Sequence, residues 1–172
     1  EGELSRTKNN LRSLNFFKTI VIKDKEIDNQ VDINIEVEEK STGEFQVGLA
    51  VDSYDGATFI TGLKEKNIFG DGRYVALSFN TSDDNAGINF DVVEPYIYNK
   101  KINLLYNINF TTNDYSSSSG YKISTQTFGI GSSYNLADNI SHFIKFDYSL
   151  DDYNSIKSTA SDSIKKLGGK NV

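Results

Sequence analysis

The chain has no cysteine, no methionine and no tryptophan, and only one proline and one histidine. Without cysteine there is no disulfide frame, no thiolate nucleophile and no thiolate-bound metal. No apolar run reaches the roughly 20 residues of a transmembrane helix, and no signal-peptide pattern opens the chain. Transmembrane β-strands stay open, because they alternate and never build a long apolar block. Positive charge is short too: 18 Lys and Arg against 24 Asp and Glu leave a net charge of −6. A nucleic-acid binder wants a clustered basic face, so no nucleic-acid partner is expected. Hydrophobic residues make up 37 %, which is thin for a soluble core and natural for a barrel with a polar interior. A chain that starts at Glu1 without Met reads as a processed or truncated piece.

The stretch from Glu36 to Phe45 divides two kinds of pattern. Before it, Leu4, Thr7, Leu11 and Leu14 recur at helical spacing, with Glu1 and Glu3 near the start. Asn15 follows as a residue that tolerates the left-handed conformation ending a helix. Phe16 to Ile22 then reads as a strand, Lys23 to Gln30 as a polar turn, and Val31 to Glu38 as a strand with one buried face. A helix and two strands are too few for a core of their own, so a preceding part is expected.

After Gly43 seven segments alternate. Their apolar residues are Phe45, Val47, Leu49 and Val51; Phe59, Thr61 and Leu63; Val75, Leu77 and Phe79; Ile88, Phe90 and Val92. The fifth runs from Ile102 through Leu104, Tyr106 and Ile108 to Phe110, the sixth holds Phe128, Ile130 and Tyr134, and the seventh Ile144, Phe146, Tyr148 and Leu150. Period two says that one face is dry and the other polar, which suits a soluble sandwich as well as a membrane barrel. Three features favour the barrel. Most segments supply the nine to eleven residues of a tilted spanning strand. Compact turns (67–72, 99–100, 137–139) face longer polar connections (112–120 and from Asp151 onward). Aromatics (Tyr54, Phe69, Tyr96, Tyr98, Tyr121, Tyr134, Tyr153) gather near strand ends, where a membrane interface holds them. Beyond the last strand, Ile156, Ala160, Ile164 and Leu167 fit one face of a short helix, and a disordered tail is the other reading.

Little here suggests chemistry. His142 is alone and reads as an interface residue rather than a catalyst. Asp83-Asp84 and Asp151-Asp152 are acidic pairs in expected loops, read as solvated charge rather than as a cation site. Gly129-Ile130-Gly131 lies in a strand and opens no helix, so it is no phosphate loop. No catalytic residues, no metal ligands and no cofactor site are expected, and the chain is read as a non-enzyme.

With the strands placed, a resemblance becomes visible. Leu11 to Lys18 resembles the second helix and following strand of a POTRA module, and Val31 to Gly43 resembles the exit of the last POTRA module into the barrel of the BamA family of outer-membrane assembly factors. Lys66 to Gly72 and Glu94-Pro95-Tyr96 resemble that family's first two periplasmic turns. The likeness runs from Glu1 to about Leu150, and the rest of a full-length barrel is missing from it. It implies a mainly β fold: residues 1–41 as the C-terminal part of an α/β POTRA module, and 42–172 as the N-terminal, seven-stranded part of an antiparallel transmembrane barrel ending in a polar extracellular loop. It also implies the bacterial outer membrane, with the N-terminal part in the periplasm. The implied partners are outer-membrane protein clients, outer-membrane lipid and accessory lipoproteins. The implied activity is insertion of clients through a lateral gate. The gate's first strand is Glu44, Phe45, Gln46, Val47, Gly48, Leu49, Ala50 and Val51, and the joint before it is Glu39, Lys40, Ser41, Thr42 and Gly43. A two-partner secretion or TamA-like pore of the same superfamily, and a soluble β-rich binding domain, are the rival readings.

Overall fold

The computed structural model describes residues 2–27, 30–53, 56–97, 100–137 and 139–168. The chain divides into two compact units between Thr42 and Gly43. The first unit holds α1 (Gly2–Leu14), β1 (Phe17–Ile27) and β2 (Gln30–Glu39). Leu4, Leu11 and Leu14 lie on its half-buried helical face. Asn15 ends the helix at φ 60°, its N–H donating to the Arg12 carbonyl at 3.0 Å. Glu1 lies outside the described residues.

Two expectations for this unit need correction. Lys23 to Ile27 is strand, not turn, and pairs with Gln30 to Asn34. In a two-stranded ribbon with wet surroundings, charged residues satisfy each other across the ladder; Lys23 Nζ lies 2.9 Å from Glu36. The apolar face of β2 is also not buried, since Val31, Ile33, Ile35 and Val37 are all exposed. Only the helix and one neighbouring strand are there to cover them.

The second unit is one sheet in chain order: β3 (Gly43–Asp52), β4 (Gly56–Ile68), β5 (Arg73–Thr81), β6 (Asn85–Glu94), β7 (Ile102–Asp114), β8 (Lys122–Ala137) and β9 (Ile140–Asn154). Every neighbouring pair is antiparallel. The shortest strand has nine residues, enough to cross a bilayer at a tilt.

The register puts all the apolar sets on one side. Phe45 faces Leu63, Leu63 faces Leu77, Leu77 faces Phe90, Phe90 faces Ile108, Ile108 faces Phe128, and Phe128 faces Tyr148. This face is bare: Leu49 is 81 % exposed and Phe146 67 %. Among the described residues only Ala76 and Ala160 count as buried apolar side chains. A soluble sandwich would lay a second sheet over such a face, and the described residues supply none. The wall of a transmembrane barrel leaves such a face bare of protein.

The opposite face is laced by polar side chains. Asn107 Nδ2 donates to Asn89 (2.8 Å) and Asp91 (2.7 Å). Thr125 donates to Asp151 at 2.7 Å, and Thr127 and Ser149 share a 2.9 Å bond. Lys145 pairs with Asp147 at 2.7 Å. Asp151 and Asp152, expected in a loop, therefore belong to β9.

Connections at the two ends differ less than expected. At the end where β3 begins they span 69–72, 95–101 and 138–139; at the other, 53–55, 82–84 and 115–121. The length asymmetry drawn from the sequence does not hold for these hairpins. The expected 99–100 turn is a longer connection, closed by Lys100 N–H to Ile97 O at 3.1 Å. The loop expected at 112–120 starts later, because β7 runs on to Asp114. Tyr54, Tyr98, Asn99 and Asp138 lie outside the described residues. The 69–72 turn needs left-handed backbone at Phe69, Gly70 and Gly72, and Asn67 Oδ1 accepts from Gly72 N–H at 2.7 Å.

The tail is neither one helix nor a loose loop. Among its described residues only Asp162–Leu167 is helical (α2), capped by Ser161. Ile156 and Ala160 precede it, and Ala160 packs against Gly120 of the 115–121 loop, 3 % exposed.

Candidate functional site

The strand expected to form the gate, β3, stands at one end of the seven-strand order. Among the described residues β3 pairs with β4 alone; it has no Pro, and between Glu44 and Asp52 it has no charge. Its N–H and C=O groups on the far side form a template for another strand. Phe45, Val47, Leu49 and Val51 point to the bare face, 56 to 82 % exposed. Gln46, Gly48 and Ala50 point to the polar face with Glu44.

The eight residues expected as the gate strand, Glu44 to Val51, therefore lie together on this edge, within a strand one residue longer at each end. Gly48 has room for a side chain: a methyl group there would lie 3.9 Å from its nearest neighbour, the Ile60 Cβ. Glycine is not needed there for space; it weakens the strand by offering nothing to pack. Thr61 Oγ1 donates to the Gln46 carbonyl at 3.2 Å, on the side of β4.

The expected joint is shared between the two units. Glu39 ends β2 opposite Phe17. Lys40 donates its N–H to the Phe16 carbonyl (3.0 Å) and its Nζ to Asn15 Oδ1 (2.6 Å). That closes the ribbon at its open end. Ser41 is exposed and Thr42 half-buried, and Gly43 already pairs with Glu65 as the first residue of β3.

Sequence reasoning missed Lys64 and Lys66. Lys64 faces Glu44 directly across the ladder, and Lys66 forms an ion pair with it. A signal was present in the Lys-Glu-Lys run of β4, which puts two positive charges on one face. His142 stacks against Tyr134 at 5.1 Å between ring centroids on the outward face.

A single-layer antiparallel sheet, bare and apolar on one side and polar on the other, with spanning-length strands, is a segment of transmembrane β-barrel wall. The Omp85 superfamily domain matches residues 67–170, more than half of the chain, and the chain belongs to that superfamily. Its membrane is accordingly the outer membrane. The fold is similar to BamA from Haemophilus ducreyi lacking POTRA domains 1–3, with TM-score 0.79 and 24 % identity over 89 % of this chain and 30 % of that one. CdiB from Acinetobacter baumannii is also similar, with TM-score 0.58 and 14 % identity over 89 % of this chain and 33 % of that one. The chain thus spans about a third of the length of these solved proteins.

Proposed function

We propose that the chain is part of a BamA-like insertase, which folds β-barrel proteins into the outer membrane through a lateral gate whose first strand is β3. The observation that carries this reading is that β3 has neither proline nor charge from Phe45 to Val51, so its backbone on the side away from β4 can pair with a further strand. An incoming client strand adds to that edge by β-augmentation, its backbone zipped to β3 and its alternate side chains sorted between lipid and lumen. No bond is made or broken, and the protein works without catalytic residues or a cofactor. The helix and ribbon of the first unit are read as the closing part of a POTRA module on the periplasmic side. Accessory lipoproteins and outer-membrane lipid are its further partners.

A second reading within the same superfamily is a two-partner secretion or TamA-like pore, which the superfamily match does not separate from the first. Counting POTRA modules in the full-length protein separates the two: about five favour the insertase, and two or three the pore. The direct test places a cysteine at Gln46 or Leu49 in the full-length protein and scans for disulfides to the final strand of a stalled client. Cross-links stepping by two residues along both strands are expected. Their absence at every register, with the client still stalled on the protein, removes the gate reading.

A further inference from the structure

We infer that Glu44, facing Lys64 and ion-paired with Lys66, locks β3 on β4 against a two-residue slip toward Gly62 and thereby bounds the height at which a client strand is received. The inference rests on the gate reading for its consequence, but the register lock itself does not.

Side-chain alternation fixes register only modulo two. A one-residue slip turns every side chain to the wrong face; a two-residue slip leaves Phe45, Val47, Leu49 and Val51 on the bare side. Something else must forbid that slip. On other ladders, polar side chains do it: Asn107 with Asn89 and Asp91 between β6 and β7, and Thr125 with Asp151 and Thr127 with Ser149 between β8 and β9. Along β3 the polar face offers Gln46 opposite Gly62, which has no side chain to meet it, Gly48 opposite Ile60 and Ala50 opposite Thr58. Neither Gly48 nor Ala50 has a side-chain donor or acceptor. At the start of β3, Glu44 faces Lys64 across the ladder and is ion-paired with Lys66 on the diagonal. Sliding β3 by two residues along β4 so that Glu44 meets Gly62 would cost the Lys66 contact and leave only Lys64 on a diagonal, whereas the opposite slide would set Glu44 facing Lys66 with Lys64 on the diagonal; the lock acts against the first slide.

This matters more on β3 than on an inner strand. An inner strand of the described sheet is pinned from both sides, whereas β3 pairs there with β4 alone. A client strand zipped to its free edge inherits whatever register β3 has, so a two-residue error displaces the client's apolar band along the membrane normal.

The test uses full-length protein in outer-membrane vesicles, with a short bifunctional thiol reagent and two cysteine pairs. Gln46 with Gly62 reports the native register, and Gln46 with Ile60 the slip toward Gly62. In the parent protein the native pair should dominate. E44K places three lysines together and should raise the slipped-to-native ratio about tenfold, as when a favourable cross-strand charge pair becomes repulsive. E44Q should raise it less, and adding K64E and K66E to E44K should restore the parent ratio. A purely structural role for Glu44 would lower both cross-links together and would not be rescued by reversing the charges.

An unchanged ratio in E44K overturns the inference. If E44K does not reach the membrane, an unchanged ratio in E44Q does so. Client cross-links to Leu49, recorded in parallel, keep the two readings apart. Their absence in the parent protein speaks against the gate, while the ratio between the two intramolecular pairs still decides the register lock.

Discussion

Ile108 and Asn107 are neighbours on β7 with opposite surroundings. Ile108 sits on the bare face between Phe90 and Phe128, whereas Asn107 bonds to Asn89 and Asp91 on the polar face. An arginine at Ile108 should destabilise the folded barrel by about 2–4 kcal/mol if it lies near the bilayer midplane, and an arginine at Asn107 much less. Denaturant unfolding in lipid would measure both, and equal losses would contradict the face assignment. Asp114 lies beyond the last apolar residue of β7, Phe110, at the base of the 115–121 loop. The Lys122 ammonium, with Ser116, holds its carboxyl down at about 2. A depressed folded value means that the clamp contributes fully above the ordinary carboxylate pKa near 3.8 and is lost as pH falls from there through about 2. A carbon-13 titration of Asp114 should show a midpoint near 2 in the parent that rises in K122A while staying below 3.8, since the Ser116 bonds remain. The two cases were not equally legible in the sequence. Period two placed Ile108 and Asn107 on their faces, but Asp114 and Lys122 meet only because β7 and β8 pair, a contact no local pattern announces.

Gln46 and Val47 test β3 as an element. Adjacent residues on a strand send their N–H groups to opposite edges, so one of the two donates toward β4 and the other toward the free side. Proline is tolerated on an edge when the lost donor faces outward. One of Q46P and V47P should therefore keep the Phe45–Leu63 pairing intact, as read by a thiol cross-link, and still reduce client cross-linking; the other should loosen the hairpin itself. Two variants with intact hairpins and undiminished client capture would leave the free edge without a role. The tail offers a second test at this scale. Gly120 adopts φ 77°, and a methyl group there would sit 3.2 Å from the Ala160 nitrogen. G120A should cost about 1–2 kcal/mol for the left-handed backbone alone and expose 155–168 to protease, while G70A in the opposite turn should leave that segment protected. All seven strands were legible, because each must alternate to separate lipid from lumen. Their ends were not. Lys23 to Ile27 is polar and yet pairs, since both faces of that ribbon meet water. The packing of 155–168 depends on Lys157 N–H reaching Gly120 O at 2.8 Å and Lys157 Nζ reaching Ser116 O at 2.8 Å, long-range bonds that composition does not encode.

At the scale of the whole molecule, strand alternation and membrane sidedness are separate matters. The register sorts the connections into two ends. Asp83, Ser117 and Lys157 share one, tied together by Asp114 N–H to Asp84 O (2.7 Å) and by Lys157 to the 115–121 loop. Asp71 lies at the other, in the turn that follows β4, where β3 also begins opposite Glu65. Loop length does not say which end faces out, because 53–55 and 82–84 are as tight as 69–72. What does bear on it is shape. The 115–121 and 155–168 segments form a packed cap, with Tyr121 stacked between Tyr115 at 5.4 Å and Tyr153 at 5.8 Å. The other end carries the exposed Phe69 ring beneath the Arg73 guanidinium, 5.6 Å from its centroid, suited to a membrane–water boundary. If the capped end faces the exterior, single cysteines at Asp83, Ser117 and Lys157 in the full-length protein should react with an impermeant thiol reagent on intact cells. A cysteine at Asp71 should react only after the outer membrane is opened. The contrast between Ser117 and Asp71 is decisive, since both are in connections and neither is needed for strand pairing. Labelling of Asp71 with protection of Ser117 would invert the sheet in the membrane, put the start of β3 outside, and leave a client arriving from the periplasm at the wrong end of its template.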